Sequence, residues 1–579
     1  MIHLLTGNAT SSRYLEEILA HAGLVWQRGL PDRPGVIVLD ANATLDRDTR
    51  DRLASLVHDG AALVASGGTA GLDDLLGTSS STPHEGYLTE PDVTHAVTAG
   101  LPASLHVFHA APLTWSTGTP LASLTDASAN AISGAGVVAN RHGQGATVTI
   151  AADIAASVLH IQLGRPIHED GEPAPDGTAA IDEGILKTDD GVVLSWEHDR
   201  IRCDLDAPVA DCPGKDPAYP DGDTPWFGRP VADELRLLLL QAIAWAAREA
   251  GQPLAALAEW PDDVAAVGLV SHDSDGNLDD GAHTTLRLLA EAGIRSTWCH
   301  MWGPTYADTY EPATFPRIKD AGHELALHYN SLGKDGGTWG REHLAAQAAF
   351  VRNEAGVDGF VSNKNHYLRW EGHVEFFHWL VDEGIQADQC KGPSKKGNVG
   401  YPHGSSLPWF PLDPETGAFI DVVELPLQFQ DLWLTTPALP ARTTVAQAKR
   451  HHGIAHFLFH QIHLHTKPEV ARAMLDVVAH GCDEGLAWWT SAEINGWERQ
   501  RRMVCVDVAG DRVVITADAP VEGATICVVL PDGTSPEAVV ITSGDAPLPV
   551  RPGRRWNQPA VSVTLDLPGG ETVLTLRGA

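Results

Sequence analysis

The stretch AAVGLVSHDSDGN, residues Ala265 to Asn277, is the key to the fold. Its first half is an unbroken apolar run of strand length. Its second half places a histidine, two aspartates and a glycine just before a helix-like segment. A buried strand that ends in polar residues marks the edge at which α/β folds assemble their sites. The next segments continue the alternation: TTLRLLAEAG reads as a helix with its glycine stop and IRSTWCHMWG as a strand. A short helix and AGHELALHYNS follow. This pattern runs over residues 262–497.

Upstream, residues 1–250 alternate in the same way. MIHLLTG, GVIVLDA and AALVASGG read as strands, with SSRYLEEILAHAG and LDRDTRDRLASLVHDG as helices between them. The expectation is a flavodoxin-like, doubly wound parallel sheet closed by the helix ELRLLLLQAIAWAARE. A Gly-, Pro- and Asp-rich insertion at about 165–230 carries Trp196, Trp226 and Phe227 and reads as a long ordered insertion rather than a flexible linker, either covering a neighbouring site or decorating the surface. Downstream, residues 503–579 alternate apolar and polar residues between turns, the pattern of a small antiparallel β-sandwich. The fold class is α/β, multidomain.

A chain of 579 residues is too long for one core and suggests about three or four units. With 43% hydrophobic and 20% charged residues it is globular in composition. It has no apolar run long enough to span a bilayer and no leader-like start, so the expectation is a cytoplasmic protein that meets no membrane. A net charge of -35 disfavours nucleic acid and anionic lipid as partners. Seven cysteines without CxxC spacing read as free thiols.

The N-terminal order of elements, the glycine turn ASGGTAG and the segment THAVTAGLP resemble the class I glutamine amidotransferase-like fold and its ThuA-type relatives. Catalytic members carry a cysteine on that turn. Ser66, Gly67 and Gly68 stand there in this chain, which implies that amidotransferase chemistry is absent and leaves a structural, binding or homo-oligomerising role.

The middle segment resembles the polysaccharide deacetylases with NodB homology, carbohydrate esterase family four, over about 235 residues. The resemblance implies a distorted (β/α) barrel. It maps the general base to Asp273 and a metal ligand to Asp275, in HDSD. The segment Gly322, His323, Glu324 leads to a second ligand at His328, but the next one would fall on Leu332, which binds no metal. His366, in SNKNHYLRW where the family has its arginine-proline motif, is the candidate to fill the gap. Lys364, Asn365, Tyr367 and Trp370 become candidate substrate contacts. VVELPLQFQDLWL resembles the fourth motif, with Asp431 and Trp433 supporting or walling the pocket. HFLFHQIHLHT resembles the last strand, with His463 as general acid and His460 as the alternative. In an extended segment His463 and His465 would share one face, so a metal role is also open to them.

The chemistry motivates these residues independently. Amide hydrolysis needs an activated water and a positive centre for the oxyanion, and one divalent cation supplies both, Zn²⁺ above all where imidazoles are ligands. A neighbouring carboxylate can take the water's proton. Trp298, Trp302, Tyr329, Tyr367, Trp370, Trp409 and Trp433 gather near the strand ends as rings on which sugars could stack. The leading expectation is a metal-dependent deacetylase acting on an N-acetylated amino sugar in a glycan or glycoconjugate. The alternatives are a small-molecule C–N hydrolase on the same barrel and an inactive glycan-binding protein.

Overall fold

Val267–Asp273 is a strand buried along its whole length. It pairs in parallel with Thr297–Met301 on one side and with Ile454–Leu458 on the other. It thus lies inside a 9-stranded sheet whose pairings are all parallel. From Thr297–Met301 the sheet continues through Glu324–Tyr329, Ser362–Asn365 and Ala387–Asp388 to Val423–Glu424. Beyond Ile454–Leu458 it ends at Phe429–Gln430. Residues 425–428 join the two end strands, so the ends lie within about 18 Å of each other and the sheet bends towards a barrel. This computed structural model describes residues 1–40, 42–171, 174–177, 184–201, 225–302, 309–394, 397–432 and 438–578.

The inside of the curled sheet carries several buried polar pairs. Ser362 Oγ and Thr297 Oγ1 donate to Glu324 at 2.7 and 2.8 Å, Gln389 Nε2 donates to Ser362 Oγ at 3.2 Å, and Ser271 Oγ meets His456 Nε2 at 2.8 Å. Pairing of this kind offsets the cost of burying polar groups. The helices outside, Asp279–Ala292, Arg341–Ala355 and Pro468–Asp483, take up the apolar burial. The first stops at Gly293, whose φ of +70° is the left-handed cap that the glycine supplies.

The N-terminal sheet has 11 strands. Trp26–Arg28, Ile2–Leu5, Val36–Asp40, Ala62–Ser66 and Gly145–Ile150 pair in parallel, in that order. The other half departs from the doubly wound expectation. Ala131–His142 pairs antiparallel with Gly145–Ile150 and with Thr119–Asp126, and the latter pairs antiparallel with His84–Thr89. Short turns such as Gly143, at φ +63°, reverse the chain where a parallel crossover would need a helix.

At the C-terminal end a 5-stranded and a 4-stranded antiparallel sheet share one core. The second takes Leu254–Leu257, from before the central segment, as an edge strand against Val521–Val529. Strand pairing therefore reaches outside 503–579, because a four-residue apolar run carries no information about its partner. Described parts of the 165–230 insertion lie on the barrel: Ile167 bridges Gly372, Lys187 bridges Arg369 and Phe227 bridges Gly400. Trp226 and Phe227 are buried there. Among the described residues no helix is long and apolar enough to cross a membrane. Cys299, Cys390, Cys482, Cys505 and Cys527 are free thiols, and Cys203 and Cys212 lie outside the described residues.

Candidate active site

The segment SHDSDGN is a strand end followed by a tight turn. Asn277 N donates to Ser274 O at 2.8 Å, and Gly276 and Asn277 take φ of +86° and +49°. Met301 N donates to Ser274 Oγ at 3.0 Å, and Asn277 Nδ2 donates to Met301 O at 3.2 Å. These bonds fix the turn to the next strand and hold Asp275 over the carboxyl ends of the sheet. His272 is no part of the site. Its Nδ1 is held by Phe459 O at 3.0 Å, and burial pushes its pKa down to about 3, so it stays neutral.

Asp275, His328 and His366 come together. Their ligand atoms lie within 4.8 Å of one another. His328 Nε2 is 3.3 Å from Asp275 Oδ1, and His366 Nε2 is 3.5 Å from Asp275 Oδ2. His328 Nδ1 is 2.9 Å from Lys364 O, which accepts its proton and leaves the Nε2 lone pair aimed at the carboxylate. His366 Nδ1 is 3.2 Å from Asn330 Oδ1, with the same consequence. His328 Nε2 and Asp275 Oδ1 are buried and make no hydrogen bond. Two imidazoles and a carboxylate, with a lone pair and an oxygen left facing each other, suit a divalent cation. The electrostatics agree. Burial opposes ionisation of Asp275, yet His328, His366 and His460 hold its carboxyl well below the usual range. Burial likewise opposes the His328 imidazolium, yet Asp273 and Asp275 raise its pKa, so a proton and a metal ion would compete for this negative site.

Asp273 stands beside the triad, with Oδ2 3.7 Å from His328 Nε2. Lys364 Nζ lies 3.3 Å from Asp273 Oδ1 and donates to Ser271 Oγ at 2.5 Å. Lys364 is 0% exposed and its ammonium is engaged by Asp273 and Ser271 within the barrel, a supporting position rather than the exposed substrate contact the motif suggests. Asn365 and Trp370 are corrected likewise. Asn365 is buried and donates to Arg369 O, and Trp370 is packed beneath Lys391 with its indole donating to His373 O. Trp298, Tyr329 and Trp409 are also core residues, and Trp433 lies outside the described residues. Tyr367, at 39%, remains exposed.

A second trio faces the first. Asp431 follows the edge strand Phe429–Gln430 at φ +42°. Its Oδ2 is 2.6 Å from His460 Nδ1 and 2.8 Å from His463 Nδ1, and its Oδ1 accepts from His460 N at 2.9 Å. Burial opposes the charges here too, but the two imidazoles hold Asp431 far below the carboxylate range, and Asp431 pushes His460 up to about 10. His460 Nε2 points back to Asp275 Oδ2 at 3.7 Å. The segment Gln461–Thr466 is helical rather than extended, so His463 and His465 do not share a face, and His465 instead meets Thr284 at 2.8 Å.

Leu332 is buried just past its strand, and the imidazole that stands beside Asp275 and His328 comes instead from His366, in the 3-10 turn His366–Leu368. Asn330 and Asp335, which flank His366, were not singled out by sequence, although HYN places Asn330 two residues after His328. Lys187, over the Tyr367 ring at 5.0 Å, had no local signal at all.

Solved structures similar to this chain include carbohydrate deacetylases. The carbohydrate deacetylase Agd3 aligns over 100% of this chain and 98% of its own, at 11% identity and a TM-score of 0.41. The chitin deacetylase of the fungal pathogen Colletotrichum lindemuthianum aligns over 41% of this chain and 89% of its own, at 15% identity and a TM-score of 0.26. The Xyl-CE4 domain of a multidomain xylanase from the hindgut metagenome of Trinervitermes trinervoides aligns over 40% and 89%, at 11% and 0.24. Values this low transfer no chemistry. No family profile matches the chain, and no curated protein does.

Proposed function

We propose that the protein is a metal-dependent deacetylase that hydrolyses the N-acetyl amide of an amino sugar in a glycan or glycoconjugate. The observation that carries this reading is the convergence of Asp275, His328 and His366 beside Asp273 and opposite the His460–Asp431–His463 trio. Asp275, His328 and His366 would hold a divalent cation, Zn²⁺ by the preference of imidazole ligands, which when bound supplies a positive centre for water and for the acetyl oxygen.

The chain's own residues do the rest. Asp273 takes the proton of the attacking water, and Lys364 fixes the carboxylate for that purpose. His463, half-exposed and held through Nδ1 by Asp431, delivers a proton from Nε2 to the leaving amine as the C–N bond breaks. His460 holds positive charge between Asp431 and Asp275. Acetate and a free amine result.

Elemental analysis and acetate release test the reading together. The native protein should hold about one divalent ion per chain and release acetate from N-acetylhexosamine oligosaccharides. Asp275→Ala and His328→Ala should lose both. A metal-loaded protein that releases no acetate but opens cyclic amides would be a small-molecule hydrolase. Glycan binding untouched by chelation, with no turnover, would make it a binding protein.

A further inference from the structure

Tyr367 directly follows the third residue of the triad, and its backbone is unusual. Tyr367 and Leu368 take φ of +61° and +50°, in succession, in the left-handed region that side chains with a Cβ seldom enter. The segment is held there from both sides. Asn365 Nδ2 donates to Arg369 O at 2.9 Å, Arg369 Nη1 donates to Ser331 O, and Trp370 N donates to Leu186 O of the N-terminal insertion at 3.1 Å. The result is that His366 and Leu368 are buried while the ring between them turns outward. Backbone strain beside a candidate active site points to a use for the side chain it exposes.

Two ammonium groups converge on that ring. Lys334 Nζ lies 4.9 Å from its centroid and donates to the phenol oxygen at 3.4 Å. Lys187 Nζ, brought by the insertion, lies 5.0 Å from the centroid and is only 2% exposed. Among the described residues Lys334 makes no ion pair. In a chain with 75 acidic and 40 basic residues, an exposed ammonium that makes no ion pair among the described residues stands out beside the candidate site. Ammonium groups over the ring also compete with a neutral sugar for its faces. The ammonium of Lys334 and the phenol O–H of Tyr367 are instead paired donors for an anionic oxygen, with Lys187 packed over the ring behind them.

We propose that Tyr367 and Lys334, with Lys187 packed on the Tyr367 ring, form a subsite for a carboxylate beside the triad, and hence that the substrate is an acidic glycan in which N-acetylated sugars neighbour uronic acids. This rests on the deacetylase reading for the reaction but not for the binding.

The test measures affinity and turnover separately, on the full-length protein. Calorimetry compares an alternating N-acetylglucosamine–glucuronate tetrasaccharide with the neutral N-acetylglucosamine tetramer. The carboxylated probe should bind about tenfold more tightly at low salt, with the ratio shrinking in 0.5 M NaCl. Lys334→Gln should reduce the ratio to about two or less, and Lys334→Arg should restore most of it. Equal affinities in the native protein, no binding of the carboxylated probe, or a ratio unchanged in Lys334→Gln would overturn the subsite. Failure of the deacetylase reading is distinguishable: no acetate is released from either probe while the affinity ratio stays intact.

Discussion

At the carboxyl end of the N-terminal parallel strands, Ser66 Oγ donates to Ala152 O and accepts from Ile154 N, both at 3.1 Å. Asp40 accepts from the amides of Gly7 and Asn42 at 3.2 and 3.0 Å, and Asp153 caps the following helix through Ala156 N at 2.9 Å. At the carboxyl end of the barrel strands, Asp275 Oδ1 and His328 Nε2 approach to 3.3 Å and neither is hydrogen-bonded. Both sheets place acids and hydroxyls where α/β folds build sites. In the first, Ser66, Asp40 and Asp153 are bonded to the backbone; in the second, Asp275 Oδ1 and His328 Nε2 face each other without a hydrogen bond. An unsatisfied buried donor or acceptor costs about 1–3 kcal/mol. Its persistence where an imidazole and a carboxylate face each other is what the proposed metal site would draw on.

Substitutions at the two rims should diverge. The largest effect is expected from Asp273→Asn: acetate release should fall about 10²–10⁴-fold with metal content unchanged, and a matching loss of metal would recast Asp273 as a ligand. Asp431→Asn should cost about 10²-fold in kcat, since one carboxylate oxygen orients both imidazoles; a raised KM with kcat intact would instead make it a substrate contact. A third test probes the seam between the two sheets. Burial opposes the Glu234 charge, but His451 and Arg450 lower its pKa to about 2 from the ordinary carboxylate value of 4.5. A folded-state pKa below the unfolded one contributes stability above about pH 4.5 that is lost as pH falls towards 2. Denaturant titrations should show Glu234→Gln less stable at pH 7 by about 3 kcal/mol, with the gap closing below pH 4.5; a gap independent of pH would mean the charge is not what matters. The smallest effect is Ser66→Ala, which should leave acetate release within about twofold while lowering stability by about 1 kcal/mol. A large loss of activity would make the N-terminal rim part of the chemistry.

Much of this was legible in the chain. An apolar run of strand length followed by HDSD reads as a buried strand with carboxylates at its end, and GHELALHYN repeats the pattern with an imidazole, so Asp273, Asp275 and His328 are readable as one rim from their order along the chain. Neighbouring residues were misread where proximity in sequence stood in for direction. Alternation along Ser362–Asn365 sends Lys364 into the barrel and Asn365 to the opposite face, although both stand within two residues of His366. The helical turn after His460 was hidden for a similar reason, since HQIHLHT fits either period over so short a run.

Sequence by itself determined the strand ends, the glycine stops and the residue types at the rim, because these follow from local periodicity and from the chemistry of single side chains. Only the tertiary structure decided that His366 rather than residue 332 completes the triad, that Asp431 serves two histidines, and that Lys187 reaches Tyr367. Those pairings join segments far apart in the chain. Their distances are set by how the sheet curls and how the insertion packs on it, which no local spacing encodes.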